Sequence, residues 1–244
     1  MNQNDHATPT PQDFDKYAEN YDGLLRADLG LSKNYDLSIF AGYKVDILKA
    51  KLPRPPAALL EFGCGTGRNF SFLEACWPQT QFYGCDVSIQ SLEVARKTAP
   101  AVTFNAILTP RELASVYAGK VDCVFITNVF HHIPRSEHQA WCNALHDVLA
   151  GSAGKIVIFE HNPCNPMTNY IFHHSDADAK SGALMLKPSY CCNLLKNAGF
   201  SSIKRDYTMF FLKRSNFFVS LERKLTWLPL GAQYYVIASA GGTA

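Results

Sequence analysis

The stretch Leu59-Leu60-Glu61-Phe62-Gly63-Cys64-Gly65-Thr66-Gly67-Arg68 limits what this chain can fold into more than any other. The apolar run 57–62 reads as a buried strand. Three glycines at alternate positions follow it, and from residue 69 to 74 a helical pattern begins. Strand, glycine turn and helix form a unit that cradles a nucleotide-like ligand. The glycines remove the Cβ atoms that would hold a ligand off the backbone, and they permit positive φ in the turn. The helix N-terminus adds unpaired N–H groups and partial positive charge. A tight strand–helix turn with no ligand is the simpler reading of a glycine triplet taken alone.

The neighbours of the triplet choose between the two. A dinucleotide loop reads GxGxxG; this one reads GxGxG with Glu61 just before it. A carboxylate there repels a pyrophosphate and favours a cation such as an amino-acid ammonium. A second acid, Asp86, ends the next apolar run, 81–85, at the distance where a carboxylate can accept hydrogen bonds from ribose hydroxyls. Ammonium, carboxylate and ribose without phosphate describe S-adenosylmethionine. On Glu61-x-Gly63-x-Gly65-x-Gly67 and Asp86-Val87-Ser88 the chain resembles the class I S-adenosylmethionine-dependent methyltransferases. The resemblance implies an α/β fold: a doubly wound, mostly parallel seven-stranded sheet with a C-terminal antiparallel hairpin. It implies S-adenosylmethionine as methyl donor and S-adenosylhomocysteine as product. It assigns cofactor contacts to Tyr21, Glu61, Gly63, Cys64, Gly65, Gly67, Asp86, Val87, Asn105, Ala106, Asn128 and Val129. Many relatives carry Asp where this chain has Asn105; an amide oxygen there can still accept from an adenine amino group.

Composition narrows the partners. Of 244 residues 47% are hydrophobic, which predicts a sizeable core rather than disorder. The net charge of +2 disfavours duplex DNA as a partner. The eight cysteines show no metal-ligand spacing and read as reduced thiols of a cytoplasmic protein. No apolar stretch is long enough for a membrane span, and the polar N-terminus does not read as a signal peptide.

The rest of the chain alternates strand and helix patterns. Residues 1–12 read as a disordered tail and 13–52 as a helical cap. Residues 53–244 read as the cofactor-binding domain, with a lid insertion at 161–187. Phe14, Tyr17, Ala18 and Tyr21 share one helical face and could close over the cofactor, with Tyr17 towards the substrate. Asp36 can cap a helix over 37–51 whose one side carries Leu37, Phe40, Ala41, Lys44, Val45 and Leu48. Thr109-Pro110-Arg111-Glu112 is a capping box. Strands are expected over 101–105, 121–127, 155–160, 203–211 and 233–239, and 217–228 is an amphipathic helix. Ligands of such a sheet lie at the carboxyl ends of its strands.

Two of those ends carry histidine. Residues 127–134 read Thr-Asn-Val-Phe-His-His-Ile-Pro and 160–163 read Glu-His-Asn-Pro. Methyl transfer is an in-line displacement, so alignment does much of the work. A base is needed when the acceptor is a hydroxyl or a protonated amine, and histidine titrates in the right range. His161 and His132 are the candidate bases. Glu160 is either a base itself or the group that orients a histidine. Adjacent residues diverge in general, so only one of His131 and His132 is expected to face the pocket; the family-like pattern favours His132. Tyr170, His173 and His174, with His131 and Tyr17, are candidate substrate contacts. No metal site is expected: Asn128 and Glu160 stand where metal-dependent relatives carry paired acids.

The sequence thus predicts a cytoplasmic methyltransferase acting on a small organic acceptor, a secondary metabolite or a glycan or lipid precursor. It predicts no nucleic-acid partner and a monomer or homodimer. An RNA or protein methyltransferase, or a non-catalytic S-adenosylmethionine-binding protein, is the alternative.

Overall fold

A computed structural model describes residues 15, 23, 26–27, 30, 32–175, 182–211 and 216–241. Its elements run α1 (Ser38–Lys51), β1 (Ala58–Phe62), α2 (Phe70–Cys76), β2 (Gln81–Asp86), α3 (Ile89–Thr98) and β3 (Thr103–Ala106). They continue α4 (Pro110–Tyr117), β4 (Cys123–Thr127), α5 (His138–Asp147), β5 (Lys155–His161), α6 (Pro166–His174), α7 (Pro188–Asn197), β6 (Ser201–Thr208), α8 (Asn216–Leu225) and β7 (Gln233–Ser239). The strands form one sheet in the order β3-β2-β1-β4-β5-β7-β6. Strands β1 to β5 pair in parallel; β7 is antiparallel to both β5 and β6.

Local chemistry sets the element ends. Asp36 Oδ1 accepts from Ser38 N at 2.9 Å just ahead of α1, whose N-cap position is Leu37. Ser88 caps α3 by accepting from Ser91 N. The expected capping box is present at α4, with Glu112 Oε2 accepting from Thr109 N and Thr109 Oγ1 accepting from Glu112 N. The unbroken apolar runs of β4 and β5 are buried on both faces, as parallel central strands require. Alternate residues feed two cores. Leu60, Val124, Ile126 and Ile156 pack under α4, α5 and α7. Leu59, Phe125, Val157 and Phe159 pack under α1, α2 and α3 with Val45, Leu48 and Leu73.

The inserted segment is not all irregular. Asn165 accepts from Thr168 N and Pro166 occupies the first turn, so α6 forms within it. Among the described residues no helix is long and apolar enough to cross a membrane. The tyrosines at 17 and 21 lie outside the described residues.

Candidate active site

The strand order reverses between β1 and β4, so the crevice lies above their carboxyl ends. The three glycines of the loop do different jobs there. A Cβ on Gly63, at φ +71°, would stand 2.4 Å from Val129 Cγ2. One on Gly67, at φ +77°, would stand 3.1 Å from the Ala95 Cβ. Both positions are fixed by packing. Gly65, at φ +52°, has nothing within 4 Å of the corresponding point, so its open side is where a ligand can approach the backbone.

Asp86 stitches this loop together. Its Oδ2 accepts from Gly65 N at 2.7 Å and its Oδ1 from Ser88 N at 2.9 Å. Burial raises its carboxyl above the ordinary value, and the N–H groups of Ser88, Gly65 and Val87 oppose that shift. A carboxylate has about four acceptor sites, so capacity for two ribose hydroxyls remains. Ser88 Oγ donates to Asp15 Oδ1 at 2.6 Å, which places Asp15 at the end of β2. Cys64 is buried beside Gly84, and burial holds its thiol well above the ordinary value. At the edge strand, Asn105 donates through Nδ2 to Tyr117 Oη at 2.8 Å. That bond leaves its Oδ1 as the acceptor atom. Ala106 pairs with Asp86 and is exposed.

Glu61 is 1% exposed. Its Oε1 accepts from Asn69 Nδ2 at 2.5 Å, whereas its Oε2 has no hydrogen-bond partner. Burial pushes its carboxyl up to about 8, against the pull of Asn69 and Lys44. Lys44, on the inner face of α1, is 8% exposed. Burial pushes its amine down to about 8, opposed by the charges of Glu160 and Glu61. On the far side of β4, Asn128 adopts φ 58°, a strained value for a residue with a side chain. Its Oδ1 accepts from Gln233 Nε2 at 3.1 Å; Gln233 Oε1 is buried without a partner.

The histidines form one cluster around a buried acid. Glu160 Oε2 accepts from His131 Nδ1 at 2.5 Å, and its Oε1 accepts from Phe130 N at 2.8 Å and Val129 N at 3.2 Å. Burial alone would raise this carboxyl; the charge and hydrogen bond of His131, the charge of His161 and the Phe130 N–H together lower it. The His131 ring lies 4.1 Å from that of His132 and 5.2 Å from that of His161, centroid to centroid. Phe172 of α6 closes the group, 5.7 Å from both His131 and His161. A fourth histidine, His138, is structural: its Nε2 donates to the Phe130 and Ile133 carbonyls and its Nδ1 accepts from Tyr190 Oη.

His131 and His132 sit in the 3-10 turn Phe130–His132 with ring centroids 4.1 Å apart; the buried His131 holds the acid and His132 is half-buried. Glu160 accepts from three donors, His131 Nδ1 and the Phe130 and Val129 N–H groups, an arrangement suited to orienting a histidine. The structure turns Tyr170 and His174 outward: they stack on each other at 4.2 Å, and His174 Nδ1 donates to the Tyr170 carbonyl. His173 is exposed as well. Phe172, half a turn from both Tyr170 and His174, takes the inward place on α6. Among the described residues no group of three His, Cys, Asp or Glu side chains could hold a metal ion.

Lys44 and Gln233 escaped the sequence reading. The signal for Lys44 was present, since it sits on the apolar stripe of its helix. Gln233 looked like an ordinary strand terminus, and only its missing partner marks it.

Residues 60–153 match a family described as a methyltransferase domain. Among solved structures, an S-adenosylmethionine-dependent methyltransferase from Archaeoglobus fulgidus superposes with a TM-score of 0.66 at 16% identity, over 90% of this chain and 100% of that one. A possible histamine N-methyltransferase from Thermotoga maritima gives 0.66 at 14%, over 94% and 98%. Phosphoethanolamine N-methyltransferase 2 of Haemonchus contortus, in complex with phosphomonomethylethanolamine and S-adenosylhomocysteine, gives 0.64 at 15%, over 95% of this chain and 60% of that one. The sheet order and the C-terminal hairpin are those of the class I methyltransferase fold.

Proposed function

We propose that this class I, S-adenosylmethionine-dependent methyltransferase acts on a small organic acceptor. The observation that carries the reading is the orphaned Glu61 Oε2 at the head of a loop whose central glycine is open on one side. A buried carboxyl oxygen without a donor is costly, and an incoming ammonium removes the deficit. The crevice therefore fits a ligand with a cationic end and a ribose. When bound, the cofactor supplies an electrophilic methyl group on sulfur.

The chain's own residues do the rest. Asp86 holds the ribose hydroxyls, Asn105 Oδ1 accepts from the adenine amino group, and Glu61 takes the ammonium. The β1–α2 loop, Val87 and Val129 line the path between them. We assign proton acceptance from the acceptor to His161, with His132 as the second group. Glu160, held charged by its donors, favours a proton on the cluster beside it. His131 positions Glu160, and Phe172 keeps water from one side of the rings. The small acceptors in the Thermotoga and Haemonchus descriptions accord with a small-molecule role.

Incubation with S-adenosylmethionine tritiated on the methyl group, and a panel of small phenols, amines and phosphorylated amines, tests the reading. Label should appear in one class of small molecule. Label found only in added RNA or protein would overturn the small-acceptor reading.

A further inference from the structure

Two buried polar groups have no use in the site as built so far. The Lys44 ammonium is 8% exposed as a residue, and no hydrogen bond or ion pair joins it to a described residue. Gln233 is 6% exposed, and its Oε1 lacks a donor. Lys44 lies within electrostatic reach of Glu160, and Gln233 pairs with His161, the next residue of β5. Gln233 pairs with Thr208 on one side and His161 on the other. Thr208 Oγ1 is hydrogen-bonded to Tyr43 Oη, and Tyr43 precedes Lys44 on α1. Glu222 of α8 accepts from the same tyrosine, so this part of α1 is pinned over the ends of β6 and β7.

Gln233 also lies on the acceptor's side of the crevice. The groups that fit the cofactor, Asp86, Gly65, Glu61 and Asn105, belong to β1, β2 and β3 or the loops that leave them. Gln233 belongs to β7, two strands beyond β4 in the other direction, about 10 Å away at the usual strand spacing. Resting on the methyltransferase reading, we propose that Lys44 and Gln233 form an acceptor subsite for an anionic oxygen, carboxylate or phosphate, next to an O–H or N–H.

The chemistry demands both features. Among the described residues no carboxylate caps the Lys44 ammonium. Glu160 is committed to Val129, Phe130 and His131, and Glu61 is held towards its neutral form. Arg68 lies within electrostatic reach of Lys44 and adds positive charge. An anion bound here turns the ammonium into a charge-assisted donor. The Gln233 amide oxygen accepts only, so the group that meets it must donate. An acceptor seated between them presents its nucleophile towards His161, the strand partner of Gln233.

Inorganic phosphate and 3-hydroxybenzoate each combine an anionic oxygen with an O–H, and serve as probes. Calorimetry would titrate each into wild type, Lys44→Met and Gln233→Met, with and without saturating S-adenosylhomocysteine. At least one probe should bind wild type, and both variants should weaken it about tenfold or more, as loss of one charge-assisted or buried hydrogen bond requires. S-adenosylhomocysteine affinity should hold steady in both variants. The Lys44→Met protein should melt no lower than wild type, because an apolar side chain of similar length replaces a buried ammonium that no described residue bonds. Three results would overturn the subsite: neither probe binds wild type, the variants bind the probes unchanged, or Lys44→Met selectively weakens S-adenosylhomocysteine. The last would give Lys44 to the cofactor's own carboxylate. Wild type that binds a probe but not S-adenosylhomocysteine would sink the methyltransferase reading and leave the anion subsite standing.

Discussion

Glu160 Oε2 lies 2.5 Å from His131 Nδ1, with both side chains 1% exposed. A charged acid this deep persists because the imidazole and two backbone N–H groups meet it. Its folded value is lowered from the ordinary 4.5, so its stabilisation is full above about that pH. It is lost as pH falls through the folded value. Glu160→Gln should cost about 2–3 kcal/mol near neutrality, the worth of hydrogen bonds to a charged group. The cost should shrink in acid. Urea unfolding between neutral and strongly acid pH checks this; parallel curves for the two proteins would contradict it.

Glu61 shifts the opposite way. Its folded carboxyl, pushed up to about 8, is mostly protonated at neutral pH. A cationic ligand group beside Oε2 favours the carboxylate, so binding of S-adenosylhomocysteine at neutral pH should release up to one proton from it. Calorimetry in two buffers of different ionisation enthalpy measures that release. Glu61→Gln should abolish this share of it. The same raised value makes Glu61 destabilising as pH rises from its unfolded value of 4.5 towards 8, so Glu61→Gln should gain stability relative to wild type across that range.

The glycines separate packing from binding. Gly63→Ala adds a carbon 2.4 Å from Val129 at positive φ and should destabilise by about 3 kcal/mol or more. Gly65→Ala meets no atom and should cost only about 1–2 kcal/mol of backbone strain. Its S-adenosylhomocysteine affinity should nevertheless fall about tenfold or more, because the new methyl enters the ligand's space. Thermal melts with calorimetry test both; an unchanged affinity in Gly65→Ala would mean the open side faces no ligand.

General-base help contributes about 10²–10⁴ in rate. His161→Ala should lower kcat by that order while cofactor affinity stays intact, and the residual rate should rise with pH as the acceptor ionises unaided. His132→Ala should show the same signature only if it shares the role. Near-wild-type kcat in both variants would mean that alignment alone drives the reaction.

What the sequence revealed follows from which forces are local. The strand–loop–helix unit, the Thr109 capping box and the doubly buried β4 and β5 depend on neighbours in sequence, and all are legible there. The hairpin of β6 and β7 was legible through the family resemblance. The histidine geometry was not, because the 3-10 turn that carries His131 and His132 is fixed by His138, bonded to the Phe130 and Ile133 carbonyls from the next helix. Helix α6 lies inside the lid insertion, with Pro166 in its first turn, where a helix tolerates it. Gln233 becomes visible only when the sheet is assembled and its amide oxygen is left without a donor, whereas Lys44 already stood on the apolar stripe of its helix.

The central claim is that the crevice above Gly65 holds the nucleoside and amino-acid ends of the cofactor. A crystal structure with S-adenosylhomocysteine tests it most directly. It should place the ribose hydroxyls within about 3 Å of the Asp86 carboxylate and the ammonium beside Glu61 Oε2, with Gly65 against the ligand. Ligand density outside the crevice, or a ribose remote from an Asp86 still bonded only to Gly65 and Ser88, would contradict the account.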